Sequence, residues 1–214
     1  MLFQDIVQNA KQHFPNLQIK YKDSSLLMKI LGTILFFNKS FMTDYTTTIG
    51  STVYFPTESF VNTRPISSSM VLLHELTHLW DSKKISNILF TILYLSPQSL
   101  ILLALPLLLV SWKIALLFLI FAAPIPSYFR MYFERRAYFA SLYVMSKLGK
   151  KLNFDPELNK NKDYFVEQFK GPFYYFMFPF NSINKDFDAA LIKINNNKRP
   201  FESLVFDILD DLIK

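Results

Sequence analysis

Between Ile85 and Ile125 the chain runs for 41 residues with a single charged side chain, Lys113. So much apolar surface must be covered by protein or by lipid, because soluble surfaces do not leave patches of that size facing water. The stretch is long enough for two bilayer crossings and too long for one. Ser86-Asn87, Ser96-Pro97-Gln98-Ser99 and Ser111 interrupt it. The expectation is an apolar helical hairpin inserted over 85–127, with arms from Ile88 to Val110 and from Ile114 to Phe129 and a tip near Ser111-Trp112-Lys113. Trp112 and Lys113 suit a distal membrane interface. Pro97, Pro106, Pro124 and Pro126 argue against long straight arms. A re-entrant hairpin, or one buried in a soluble fold, are the alternatives to a spanning pair.

The rest of the chain reads as one α+β domain over 1–214, mostly helical with a small sheet. Leu2, Ile6, Val7 and Ala10 mark one face of a short N-terminal helix ending before Pro15, and a continuous apolar stretch of the signal-peptide kind is absent there. Leu17 to Tyr21 alternates weakly, and Leu26 to Phe37 is apolar but too short to span. Tyr45 to Pro56 is rich in β-branched and aromatic residues around Gly50, which predicts two short strands joined at a turn or bulge. Helices are expected from about Ile66 through Asp81, from Tyr128 to Lys150 and from Asn153 to Phe169. The part from 150 to 214 is helical and aromatic-rich, closing on an amphipathic helix from Phe201 to Ile213. Its most aromatic segment, Gly171 to Phe180, reads first as packing surface, with a membrane belt or a cleft wall as alternatives.

With 51% hydrophobic and 19% charged residues, and a formal charge of +6, lipid headgroups are a more natural partner than nucleic acid. The chain has no Cys, so a metal would rest on imidazoles and carboxylates.

His74-Glu75-Leu76-Thr77-His78 supplies both. On a helix, imidazoles four residues apart project from one face, the spacing at which two can share a tetrahedral Zn2+, and Glu75 lies beside them to take a proton from a water that the metal activates. Only three His occur in the chain, and His13 reads as an exposed helix-end residue, so the third ligand is expected to be a carboxylate. Glu134 is the first choice, since Ala137 one turn on leaves room for two helices to approach; Glu157, Glu167 and Glu58 are alternatives. Asp81 shares the face of the two His and is a candidate acceptor for a ligand imidazole. Tyr138, Tyr174 and Tyr175 are candidate oxyanion donors, and the strand Val53 to Phe55 is a candidate edge for pairing with an extended substrate.

His74-Glu75-Leu76-Thr77-His78, an apolar hairpin, then Glu134-x-x-Ala137-x-x-Ala140, together covering about Thr46 to Ser146, resemble the gluzincins. The likeness is to membrane-inserted heat-shock and CAAX-prenyl zinc endopeptidases, and also to soluble zincin-like domains of bacterial and phage proteins. The resemblance implies His74, His78 and Glu134 as zinc ligands and Glu75 as the catalytic base. Two departures stand out: Thr77 occupies the family's Gly, and Tyr138 occupies the Asp that usually orients a ligand His. The function expected is a membrane-associated zinc endopeptidase acting on a peptide or protein substrate. The alternative is an inactive zincin-fold binding or structural protein, such as a virion or membrane-assembly component. His78 and Glu134 must reach one ion, so the segment between them crosses a bilayer an even number of times or not at all. Lys83, Lys84, Arg130, Arg135 and Arg136 flank it, which would put the catalytic side in the cytoplasm.

Overall fold

The computed structural model describes residues 2–36, 38–123, 125–170 and 182–213. A three-stranded sheet is set against a cluster of helices. Strands β1 (Gln18–Tyr21), β2 (Thr47–Ile49) and β3 (Thr52–Phe55) lie in the order β1-β3-β2, with β1 parallel and β2 antiparallel to β3. The expected turn at Gly50 is the β2–β3 hairpin, where φ is +57°, a conformation that costs a Cβ-bearing residue free energy. The expectation that Val53 to Phe55 forms an edge is overturned. β3 is the central strand, Val53, Tyr54 and Phe55 are all buried, and the edge on this side is β2.

Helix α1 (Leu2–His13) buries Phe3, Ile6, Val7 and Ala10, the face that its spacing predicts. α2 (Leu26–Ile34) follows β1, and α3 (Glu58–Thr63) leads into α4 (Pro65–Ile85). α4 starts with Pro65 in its first turn, where a missing N–H costs nothing, and it runs one turn beyond the predicted Asp81. Its most extensive partner is α8 (Tyr128–Leu152), which ends at Asn153 in the left-handed conformation. α9 (Leu158–Lys170), α10 (Ser182–Asn195) and α11 (Leu204–Ile213) complete the shell. One apolar core unites residues from Phe3, Phe55, Leu72, Leu142, Phe169 and Phe187 through to Leu209, so the described part of the C-terminal third packs into the same core as the helix that carries His74 and His78.

No described residue of 85–127 belongs to that core. Ser86, at φ 86°, turns the chain sharply out of α4 into α5 (Asn87–Leu95). The two long arms that the sequence predicts are broken. α5 meets the next stretch, a 3₁₀ turn Gln98–Leu103 and α6 (Ala104–Leu107), at an angle of 96°. That stretch packs on the return arm, α7 (Trp112–Leu117) with the 3₁₀ turn Phe118–Ala122. The reversal near Ser111 is where it was expected. Among the described residues no single helix is long and apolar enough to cross a membrane. The outgoing arm, at 1.5–2.0 Å per residue, is roughly 18 Å long, against about 30 Å of bilayer hydrocarbon. Across the two arms Leu105, Leu109, Val110, Leu117 and Ile120 stand more than three-fifths exposed, Leu109 at 91%. The buried residues of the paired arms are the small Ala104 and Ala115. Of the flanking cations, Arg130 binds the Tyr94 carbonyl, Arg135 pairs with Asp186, Arg136 pairs with Asp81, and Lys83 reaches the His13 carbonyl at 3.5 Å. Lys83 and Lys84 are exposed.

Candidate metal centre

Helix periodicity puts His74 and His78 on one side of α4, their rings 5.0 Å apart, and α8 brings Glu134 across to them. Glu134 Oε2 lies 3.2 Å from His74 Nε2, and Glu134 Oε1 lies 3.6 Å from His78 Nε2. Ligand atoms of the three side chains all fall within 4.8 Å of one another. Tetrahedral zinc with bonds near 2.1 Å separates its ligand atoms by about 3.4 Å, which the two measured separations bracket. The approach of α8 is close because Ala137 and Ala140 are fully buried between the helices. Glu134 Oε2 is buried without a hydrogen-bond partner among the described residues. Such a group is costly unless something binds it. Two imidazoles and one carboxylate suit a zinc-class divalent ion and leave a fourth position open, so the donor set fits the expected metal.

Electrostatics agree with the geometry. Burial pushes the Glu134 carboxyl up, but the two imidazoles beside it pull it further down, and it stays ionised. Burial pushes His78 down, Glu134 pulls it up, and the net direction is up. Each shift thus favours the charged form of its group, imidazolium at His78 and carboxylate at Glu134.

Glu75 points from the same helix into a cleft of about 470 Å³ that also exposes His74, His78 and Glu134. Its Oε2 accepts a 2.6 Å hydrogen bond from Thr48 Oγ1 on β2, so the edge strand fixes the carboxylate's orientation. Part of the cleft lining comes from the loop after α2, with Asn38, Phe41 and Tyr45, and part from α5, with Phe90, Thr91 and Tyr94. The Tyr94 hydroxyl donates a short hydrogen bond to Glu134 Oε1, and the Phe90 and Tyr94 rings lie 6.1 Å and 5.7 Å from that of His78. Beneath the loop wall, Lys22 is fully buried, donating 2.6 Å to the Phe41 carbonyl. Burial pushes this ammonium down to about 8 against the opposing pull of Glu75.

Several expectations change. Asp81 is not an acceptor for His78, whose Nδ1 has no hydrogen-bond partner among the described residues; both Asp81 oxygens accept from Arg136 at 2.9 Å, which ties α4 to α8. Tyr138 stands behind His74, ring centroids 4.9 Å apart and packed on Phe165 and Phe169, and it is not among the side chains lining the cleft. Tyr174, Tyr175 and the rest of Gly171 to Phe180 lie outside the described residues. Glu58, Glu157 and Glu167 are exposed and outside the cluster, and His13 is outside it too. Thr77, at the resembled family's Gly, satisfies its hydroxyl on the Leu73 carbonyl within the helix. Thr48, Tyr94 and Lys22 went unnoticed in the sequence. Tyr94 left one signal: it is a hydroxyl inside an otherwise apolar run.

Within the described residues the fold and site therefore define a mostly helical α+β protein with a His/His/Glu cluster able to hold a metal ion. Compared with known protein families, curated proteins and solved structures, the chain matches none.

Proposed function

We propose that the chain is a membrane-associated, zinc-dependent endopeptidase of zincin-like fold. The observation that carries this reading is the convergence of His74, His78 and Glu134 beside Glu75 in one open cleft. Zinc held by those three side chains supplies Lewis acidity, lowering the pKa of a water and polarising a carbonyl. The chain's own residues do the rest. Glu75, oriented by Thr48, takes the proton of the attacking water and returns it to the leaving amine. Tyr94, whose hydroxyl donates to Glu134 Oε1, would be released to donate to the oxyanion that develops on the scissile carbonyl once Glu134 binds the metal. The free edge of β2, with Thr47 and Thr48 in the cleft lining, offers backbone groups to an extended peptide. This assigns to β2 and Tyr94 the roles first sought in β3 and Tyr138.

The hairpin is read as a monotopic insertion. Among the described residues no single helix of it is long enough to span, the pair that is long enough together is bent by 96°, and Lys113 at its tip needs headgroups or water. A shallow seat in one leaflet, with Trp112 and Lys113 drawn to the interface, suits these features. Zero crossings keep His78 and Glu134 on one side. Exposed Lys83 and Lys84 suit an anionic cytoplasmic leaflet.

Native mass spectrometry of detergent-purified protein tests the core of this reading. Near one zinc per chain is expected, falling sharply in Glu134→Ala, while Glu75→Gln keeps the zinc and loses the new amino termini that wild type generates from a peptide library. Absence of zinc in wild type sinks the proposal.

A further inference from the structure

Helix α2 carries an apolar ridge that the fold leaves open. Ser25 caps it by accepting from the Met28 amide. One side, Met28 with Leu31 and Leu35, packs on Phe41, Met42 and Tyr54. Leu26, Ile30 and Ile34 follow one another a turn apart on another side, 74%, 51% and 61% exposed, and Phe36 just beyond the helix is 79% exposed. A single exposed leucine is ordinary, but a continuous ridge on one short helix marks an interaction surface. From Ser24 to Thr43 the chain has no Asp or Glu, and both of its exposed charges there, Lys29 and Lys39, are cations.

Position adds the second observation. The loop that leaves α2 lines the cleft through Asn38, Phe41 and Tyr45, and α5 lines it through Phe90, Thr91 and Tyr94. α5 has no buried residue and exposes Ile88, Leu89 and Ile92. Two open apolar helices thus serve the lining of one cleft. Between Asp81 and Glu134 the hairpin, like the α2 segment, contains no acidic residue.

We infer that α2 is a second lipid-contact element: Leu26, Ile30, Ile34 and Phe36 enter the acyl boundary of an anionic leaflet while Lys29 and Lys39 meet its phosphates. This rests on the membrane reading of the hairpin given above. A second copy of the chain is the poorer occupant, because pairing two such ridges across a twofold axis brings Lys29 and Lys39 towards their own equivalents with no acid between Ser24 and Thr43 to neutralise them, the nearest being Asp23 and Asp44 at the two ends of the segment. With α2 and α5 both seated, the cleft mouth is held at the headgroup layer by both helices, and a polypeptide reaches Glu75 along the bilayer surface.

The absence of native Cys makes the test direct. Spin labels are attached to Ile30→Cys, Ile34→Cys and Leu109→Cys in the otherwise unchanged full chain, reconstituted with vesicles of phosphatidylcholine and phosphatidylglycerol. Collisional accessibility to oxygen and to a nickel chelate is then read at each site. The expected result is a rise in oxygen and a fall in nickel accessibility at all three labels. If Leu109 reports lipid while Ile30 and Ile34 stay in water, α2 does not dock, and the membrane reading of the hairpin survives. If all three stay in water, that reading fails and takes this one with it. If the α2 labels are sheltered from both reagents and show spin–spin broadening that unlabelled protein dilutes away, a second copy covers the ridge, and the lipid assignment is overturned.

Discussion

Thr48 and Glu75 meet from elements far apart in sequence, and their 2.6 Å hydrogen bond sets the direction of the carboxylate that the proposed chemistry uses. A hydrogen bond to a charged group is worth about 1.5–3 kcal/mol. Thr48→Val therefore lowers kcat by about ten- to a hundredfold with zinc content unchanged, and Thr48→Ser restores most of it; equal zinc loss in both variants would point to a structural role instead. His78 and Glu134 make the second prediction at this scale. In metal-free protein the folded pKa of His78 lies above its ordinary 6.5, so its contribution to stability is full below that pH and is lost as pH rises through the raised value. Glu134 lies below its ordinary 4.5, so its contribution is full above that pH and is lost as pH falls towards the depressed value. The pair supports the fold best between the two ordinary values. Zinc bound as proposed would compete with a proton for His78, so the rise in Tm on adding zinc should grow as pH climbs above 6.5, with chelated protein showing the opposite slope. Parallel curves with and without zinc would remove the proton–metal exchange.

At the scale of elements, α4 and α8 are locked by the two 2.9 Å hydrogen bonds between Asp81 and Arg136, both side chains well shielded from water. Removing one partner of a buried pair costs roughly 3–5 kcal/mol, whereas apolar replacement of both is often close to neutral. Asp81→Ala should thus lower stability in denaturant titrations by that amount, and Asp81→Leu with Arg136→Met should recover most of it. These two helices were the most legible part of the chain. Four-residue spacing of imidazoles has one geometric meaning on a helix, and Ala137 foretold the close approach of α8. The sheet was less legible. Val53-Tyr54-Phe55 is an unbroken apolar run, the mark of a strand covered on both sides, yet its parallel partner Gln18–Tyr21 is set by tertiary packing. Asp81 was placed on the correct face, but nothing in the local sequence says that Arg136 from another helix will take both its oxygens. Tyr94 stayed hidden because only the sharp exit at Ser86 and the packing of α5 on α8 carry it to Glu134.

The whole molecule consists of one core and one excursion. Helices α1, α3, α4 and α8 to α11 share the main core with the sheet, α2 packs in a small satellite cluster with Phe41 and Tyr54, and the hairpin stands outside both. Composition announced that excursion, but its depth came from backbone geometry: prolines and 3₁₀ turns shorten the arms, and a 96° bend turns α5 away from them. An insertion confined to one leaflet enlarges that leaflet and leaves the other untouched. On the monotopic reading the protein then acts as a wedge, and it gains most where the outer monolayer is already stretched and packing defects are wide. Its partitioning should therefore be stronger on small, highly curved liposomes than on large flat ones of the same lipid and total area, as flotation assays can measure, whereas a pair of full crossings would be nearly indifferent to radius. Membrane shape, and not lipid identity alone, would then decide where in a cell the cleft finds its work.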